Sequence, residues 1–253
     1  MSEILLHYNH ARMSILTDGA YISILELGGQ TILFPRTTLH LNGTKKLRGG
    51  MHVCLPQFGP AANTDLTHHG FGRTSKWLVS QHNQTHATLT LSSPHTSYQH
   101  ITWQLDYSLP NEYEARFRLN AVNHGTESVR IAPGFHPYFA AQFSPFQLGS
   151  IHYDSQALAD PIFVSATPNA IFDNKLHLSL EQENLPIYAL WSDRADAYTC
   201  IEPTAAGDAL LSPATEQQWL HANESKSYTL RIRLLSQTAN KLLRHTRACF
   251  FII

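Results

Sequence analysis

An all-β fold, with antiparallel sheets stacked as a large β-sandwich, is the class this sequence predicts, and three observations predict it. Apolar side chains recur at every second position in several stretches, turn residues punctuate the chain between them, and no stretch before residue 236 has the apolar spacing of a long amphipathic helix. Period-two alternation is what a strand with one dry face needs, because successive side chains leave a pleated strand on opposite sides.

In chain order, Asp18-Gly19 between apolar runs and Asn42-Gly43 are hairpin signals. Thr88-Leu89-Thr90-Leu91 alternates, and Ile101, Trp103, Leu105 and Tyr107 interleave with Thr102, Gln104 and Asp106. Ala115, Phe117, Leu119 and Ala121 interleave with Glu114, Arg116, Arg118 and Asn120, and Tyr228 to Leu234 repeats the pattern. No repeat or low-complexity linker interrupts the series, so residues 1–253 read as a single β domain with 236–253 as a C-terminal extension. That extension is a loop, Ser236 to Asn240, then basic residues and the apolar end Ala248-Cys249-Phe250-Phe251-Ile252-Ile253; Cys249 is one place too early for a prenylation signal.

With 253 residues, 43% of them hydrophobic, the chain can bury roughly three quarters of its unfolded surface. Lys plus Arg number 18 against 19 Asp plus Glu, which leaves no long-range field for nucleic acid or an anionic membrane, so any anion must be held locally. Cys54, Cys200 and Cys249 are odd in number, widely spaced and form no CxxC, which fits a reducing compartment. The first residues carry no basic, apolar leader, and no run reaches the roughly 18 apolar residues of a membrane span. A soluble cytoplasmic protein is the expectation.

The residues that point to chemistry begin with Gly134-Phe135-His136-Pro137-Tyr138-Phe139. Pro133-Gly134 turns the chain and Pro137 holds His136 in extended backbone, which gives an imidazole that titrates near neutrality a defined direction. Glu202 follows the strand-like run Ala197 to Ile201 and precedes Pro203; it is expected at a strand end beside apolar surface, which raises a carboxylate toward the range of a general base. Arg48 and Arg73 each adjoin glycine turns, Arg48-Gly49-Gly50 and Gly70-Phe71-Gly72-Arg73, where backbone can approach a ligand and a guanidinium fork can grip hydroxyls, carboxylate or phosphate. His68-His69 lack the companions of a metal site, and neither metal nor cofactor is expected.

Together these segments resemble the aldose 1-epimerase superfamily, including its hexose-6-phosphate epimerase branch, over most of residues 12 to 235. The run from Arg48-Gly49-Gly50 to Pro56-Gln57-Phe58-Gly59 is similar to the phosphosugar branch, His69-Gly70-Phe71-Gly72-Arg73 followed by Trp77 to a widespread family segment, His136-Pro137-Tyr138-Phe139 to the element of free-sugar mutarotases, and Cys200-Ile201-Glu202-Pro203 to the catalytic-glutamate strand. The resemblance implies a galactose mutarotase-like supersandwich that interconverts the anomers of a hexose or hexose 6-phosphate without a cofactor. It implies His136 as general acid, Glu202 as general base, and Arg48, His68, His69 and Arg73 along the sugar or phosphate pocket. Departures are His68 for the usual glutamine, His52 for proline, Gly72 for alanine and Thr204 for tryptophan; Asp173 is a candidate substrate-binding aspartate by position. The expected partner is a small sugar or sugar phosphate, with no nucleic acid and no membrane. The rival readings are a non-catalytic carbohydrate-binding sandwich and a cupin-like metal-dependent isomerase.

Overall fold

Two nine-stranded sheets account for the alternating runs. The computed structural model describes residues 2–41, 43–61, 65–140, 145–172, 176–194, 196–207 and 214–235, so Asn42, Asp173, Cys249 and the extension 236–253 lie outside the described residues. The first sheet runs, in spatial order, through Glu3–Tyr8, Ala11–Leu16, Tyr21–Leu27, Met51–Cys54, Gly134–Phe139, Thr199–Thr204, Ile187–Trp191 and Ile162–Ser165, with Gln30–Thr31 added to Tyr21–Leu27. The second runs through Ile151–Tyr153, Phe146–Leu148, Asn169–Phe172, Leu176–Glu183, Ser225–Leu234, Glu114–Asn123, Ile101–Asn111, His86–Ser92 and Leu78–His82. Neighbouring strands pair antiparallel, and the helical content of the described residues is confined to 3-10 turns of three residues.

The periodicity decides which side chains meet between the sheets. Ala115, Phe117, Leu119 and Ala121 are buried while Arg116 and Arg118 face water, and Ile101, Trp103, Leu105 and Tyr107 are buried in the neighbouring strand. They join one core with Ile22, Leu25, Val53, Phe135, Phe139 and Ile201 of the first sheet. The hairpin signals are in place. The turn after Ala11–Leu16 holds Gly19 at φ +81, and the hairpin Thr37–Leu41/Thr44–Arg48, with Leu41 opposite Thr44, turns at Gly43 with φ +75.

Gly49 and Gly50 carry the chain from that hairpin into the first sheet. Both have left-handed backbone, φ +86 and +67, and a Cβ at Gly50 would lie 2.1 Å from the Ile22 carbonyl oxygen. The Gly50 N–H donates to Phe34 O at 2.6 Å while its carbonyl accepts from Tyr138 N at 3.0 Å. Gly50→Ala is therefore expected to destabilise the protein by more than about 2 kcal/mol, combining left-handed strain with a backbone clash, as read from urea unfolding. Stability within about 0.5 kcal/mol of wild type would show that the turn can relax.

Candidate active site

His136 stands in a strand whose two faces have different surroundings. Phe135 and Phe139 point into the intersheet core, whereas His136 and Tyr138 point to the other side of the sheet. His136 pairs in register with His52 on one side. On the other side, Gly134 lies opposite Thr204 and Tyr138 opposite Cys200, and the same register sets His136 opposite Glu202. Ala189 follows opposite Glu202, then Phe163 opposite Ala189, so one row across five strands reads His52, His136, Glu202, Ala189, Phe163.

Two prolines shape the middle of this row. The Tyr138 N–H donates to Gly50 O, on the side of Met51–Cys54, so alternation aims the position of Pro137 at Thr199–Thr204. Proline has no N–H to give, and Pro203 is equally unable to donate. Pairing between the two strands accordingly lapses from Gly134↔Thr204 to Tyr138↔Cys200, alongside His136 and Glu202. Glu202 thus sits inside the strand Thr199–Thr204 near the centre of the sheet, not at the strand end that Pro203 suggested, because the proline interrupts pairing without ending the strand.

His136 Nε2 lies 3.2 Å from Glu202 Oε2, and both side chains are almost wholly buried. The contact is not aligned as a hydrogen bond: among the described residues Glu202 Oε2 and His136 Nδ1 have no hydrogen-bond partner. Burial pushes the Glu202 carboxyl well above the usual carboxylate range. Burial, then the positive potentials of His52, Arg73 and Arg48, pushes the His136 imidazole well below its usual range. Each shift disfavours the charged form of its own group, so burial favours a neutral carboxylic acid beside a neutral imidazole over an ionised pair. The two arrangements hold the same number of protons and differ by one transfer across the pair.

The six residues singled out in the sequence, Arg48, His68, His69, Arg73, His136 and Glu202, line one cleft of about 430 Å³, within the size range of small-molecule sites. Phe58, Pro60, Tyr138, Pro161, Phe163 and Trp191 supply its apolar walls. His69 is fixed by its own backbone, at φ +64, with its N–H donating to Gly59 O at 2.8 Å and its Nδ1 accepting from Gly59 N at 3.0 Å. That bond leaves Nε2 as the protonated nitrogen of a neutral ring, and burial holds its pKa far down. His68 is less buried and is also shifted down, by burial and then Arg73.

The two arginines differ. Arg48 is clamped by Asp193, with Nη2 to Oδ2 at 2.7 Å and Nε to both carboxylate oxygens, and its guanidinium lies 5.2 Å from the Trp191 ring. Burial works against this charge, and the Asp193 hydrogen bonds together with the negative potentials of Tyr138, Asp193 and Tyr198 outweigh it and raise the guanidinium pKa. Arg73 donates to the His68 carbonyl and has no carboxylate within ion-pair distance among the described residues.

Sequence reasoning noted His52 only as a departure and missed Asp193, Trp191 and Tyr198. His52 is buried between Tyr21 and His136 in a stack continued by Tyr138, with successive ring centroids 5.5, 4.6 and 4.7 Å apart. Neither of its ring nitrogens has a hydrogen-bond partner among the described residues, and burial lowers its pKa. Its place two residues before Cys54 in a strand was legible, but its neighbours were not. Asp193 also accepts from the Tyr198 hydroxyl, a contact set by a loop with no motif.

Two large antiparallel sheets packed face to face are the fold of galactose mutarotase-like proteins. The fold matches a galactose mutarotase-like protein of Lactobacillus casei with TM-score 0.74 at 15% identity, covering 92% of this chain and 100% of that one. A Synechocystis protein matches with TM-score 0.71 at 20% identity, over 93% and 96% of the two chains. The family model for aldose 1-epimerase matches residues 4–152, and the chain belongs to that family. Proteins provisionally named glucose-6-phosphate 1-epimerase are similar, from Salmonella typhimurium at 29% identity over 151 residues and from Escherichia coli at 26% over 141. These matches cover 58% and 54% of this chain, which spans about half the length of each relative, 49% and 47%. Among the described residues no helix is long and apolar enough to cross a membrane.

The buried titratable groups set a pH dependence of stability. His52, His69 and His136 have folded pKa values below the ordinary 6.5, so the stability they contribute is present above that pH and declines as pH falls below it toward their folded values. Glu202, raised above 4.5, acts the other way: its contribution is present below 4.5 and is lost as pH rises toward its folded value. Glu202→Gln should thus gain on wild type as pH rises above 4.5, by up to about 1.4 kcal/mol per pH unit until the folded value of Glu202 is reached. Urea unfolding at several pH values tests this; a constant difference would mean that Glu202 ionises as easily folded as unfolded.

Proposed function

We propose that the protein is an aldose 1-epimerase acting on a hexose 6-phosphate, with His136 and Glu202 as its proton carriers. The observation that carries this reading is the buried His136–Glu202 pair facing a cleft that also holds Arg73, a cation with no carboxylate partner among the described residues. The similarity to proteins named for glucose 6-phosphate supports the choice of a phosphosugar.

The chemistry is balanced proton exchange. A bound sugar whose C1 hydroxyl faces Glu202 and whose ring oxygen faces His136 favours the arrangement with the shared proton on His136. Glu202 takes the C1 hydroxyl proton as the C1 carbonyl forms; the bond from C1 to the ring oxygen breaks, and that oxygen receives the His136 proton. The pair is left as carboxylic acid and neutral imidazole, the arrangement that burial favours. Rotation about C1–C2 and closure in reverse give the other anomer. Trp191, Tyr138 and Phe58 offer apolar surface for the sugar, and His68 and His69 offer donors and acceptors for its hydroxyls.

His136→Ala and Glu202→Gln are each expected to lower kcat by about a hundredfold or more while the circular dichroism spectrum is unchanged. A folded Glu202→Gln that keeps most of its turnover would remove the base. The rate should form a plateau between two limbs. Its acid limb lies below the ordinary histidine range, where the pair takes a second proton, and its alkaline limb above the ordinary carboxylate range, where it loses its last.

Arg73→Ala should raise KM for glucose 6-phosphate by about tenfold or more and leave weak turnover of glucose unaltered, the size expected for one charged hydrogen bond. Coupled anomerisation assays on both sugars read this. Equal KM values in wild type, indifferent to Arg73→Ala, would sink the phosphate role and favour a free hexose, while sugar binding with no anomerisation would favour a non-catalytic carbohydrate-binding protein.

A further inference from the structure

The strand that carries Glu202 places Cys200 on the same face two residues earlier, opposite Tyr138. Its thiol is fully buried and packs with Tyr138 and Tyr198 behind the cleft wall. One ligand atom from each of His136, Cys200 and Glu202 falls within 4.8 Å of the others, and the His136–Glu202 separation is 3.2 Å. Ligands on one tetrahedral zinc ion stand ~3.3–3.6 Å apart, so the imidazole and carboxylate are already spaced for one and the thiol needs a shift of about 1 Å.

We infer that His136, Cys200 and Glu202 form a site for a thiophilic divalent cation of the zinc class, whose occupancy silences the proton-carrying pair. Three observations support it. Imidazole, thiolate and carboxylate are the donor set that zinc takes, and the set lacks the many oxygen ligands that calcium or magnesium demand. Glu202 Oε2 is buried, aimed at the cluster and without a hydrogen-bond partner among the described residues. The charges also balance: a dication with one thiolate and one carboxylate is neutral, which lowers the cost of placing it in this interior. Asp193 neutralises Arg48, which leaves Arg73 as the charge that opposes a cation at the cleft.

Two features make the site reachable and adjustable. His136 and Glu202 line the cleft, so an ion entering by the sugar's route meets them first, and a fourth position stays open to water. The lapse of pairing beside Pro137 and Pro203 lets the two strands shift locally without breaking ladder bonds. Binding exchanges the protons of the thiol and the carboxyl for one ion. It occupies the lone pairs that Glu202 and His136 use in the proposed reaction, so the ion inhibits and does not assist. The inhibitory role rests on the function proposed above, but the metal site itself does not.

The test adds CoCl2 to metal-free full-length protein and reads the near-ultraviolet thiolate-to-cobalt band, with ZnCl2 as competitor. Wild type should develop the band at one equivalent and lose it to zinc, and zinc should abolish anomerisation, which EDTA restores. Cys200→Ala and Cys200→Ser, checked for fold by circular dichroism, should show no band and keep their turnover in the presence of zinc. Absence of the band in wild type overturns the site, as does its survival in both variants, since the thiolate would then be Cys54 or Cys249. Full activity of zinc-loaded wild type overturns the involvement of His136 and Glu202. A wild type that gives the band but turns over no sugar leaves the site standing and removes the epimerase reading instead.

Discussion

The antiparallel register of three central strands is the constraint from which the site follows. It sets His52, His136 and Glu202 in one row, on the face of the first sheet turned away from the core. The opposite face of the same strands gives Val53, Phe135 and Ile201 to the intersheet core. Slipping one strand by a single residue would exchange the two sets, driving His136 or Glu202 into the core and an aromatic ring into the cleft. The register is therefore held by the hydrophobic burial that holds the fold, and the geometry of the row needs no separate device to keep it. Pro137 and Pro203 add a local weakness, since the backbone pairing that would normally stiffen this row is missing beside the pair.

Burial has a second effect: it opposes every charge in the row. It pushes the Glu202 carboxyl up and the His136, His52 and His69 imidazoles down. Fixed unfavourable surroundings of this kind are costly to the fold and useful to proton transfer, because neither partner is deeply trapped as an ion. The two groups stand 3.2 Å apart, so a polar group placed beside the pair would change which of them holds the proton. The stack of Tyr21, His52, His136 and Tyr138 keeps the imidazole plane fixed while this happens.

Much of this was legible in the sequence, and what was not has a common cause. Alternation at Ile101 to Tyr107 and Ala115 to Ala121 marked paired strands because one face of each meets the core. The glycines beside Arg48 and Arg73 and the prolines after His136 and Glu202 marked places where the backbone is constrained, and these four residues border one cleft with His68 and His69, which the family resemblance added. Glu202 was misplaced to a strand end because a proline reads locally as a terminator, whereas here it sits in a central strand. The proximity of His52 to His136, of Cys200 to Glu202 and of Asp193 to Arg48 depends on register across distant segments, which no local pattern encodes.

The arginines show what that limitation conceals. In the sequence Arg48 and Arg73 are equivalent, each a cation beside a glycine turn. In the structure Asp193 neutralises Arg48 with a bidentate grip, and Trp191 lies against its guanidinium, which makes that residue a rigid, nearly uncharged wall able to donate only its remaining N–H groups. Arg73 spends one N–H on a backbone carbonyl and has no carboxylate partner among the described residues. Because the net charge is −1, no long-range attraction gathers anions to the protein, so selection of an anionic substrate must be made at contact distance. In that setting two free guanidiniums would raise affinity for any polyanion, whereas with Arg48 clamped by Asp193 the cleft holds one guanidinium, Arg73, with no carboxylate partner among the described residues.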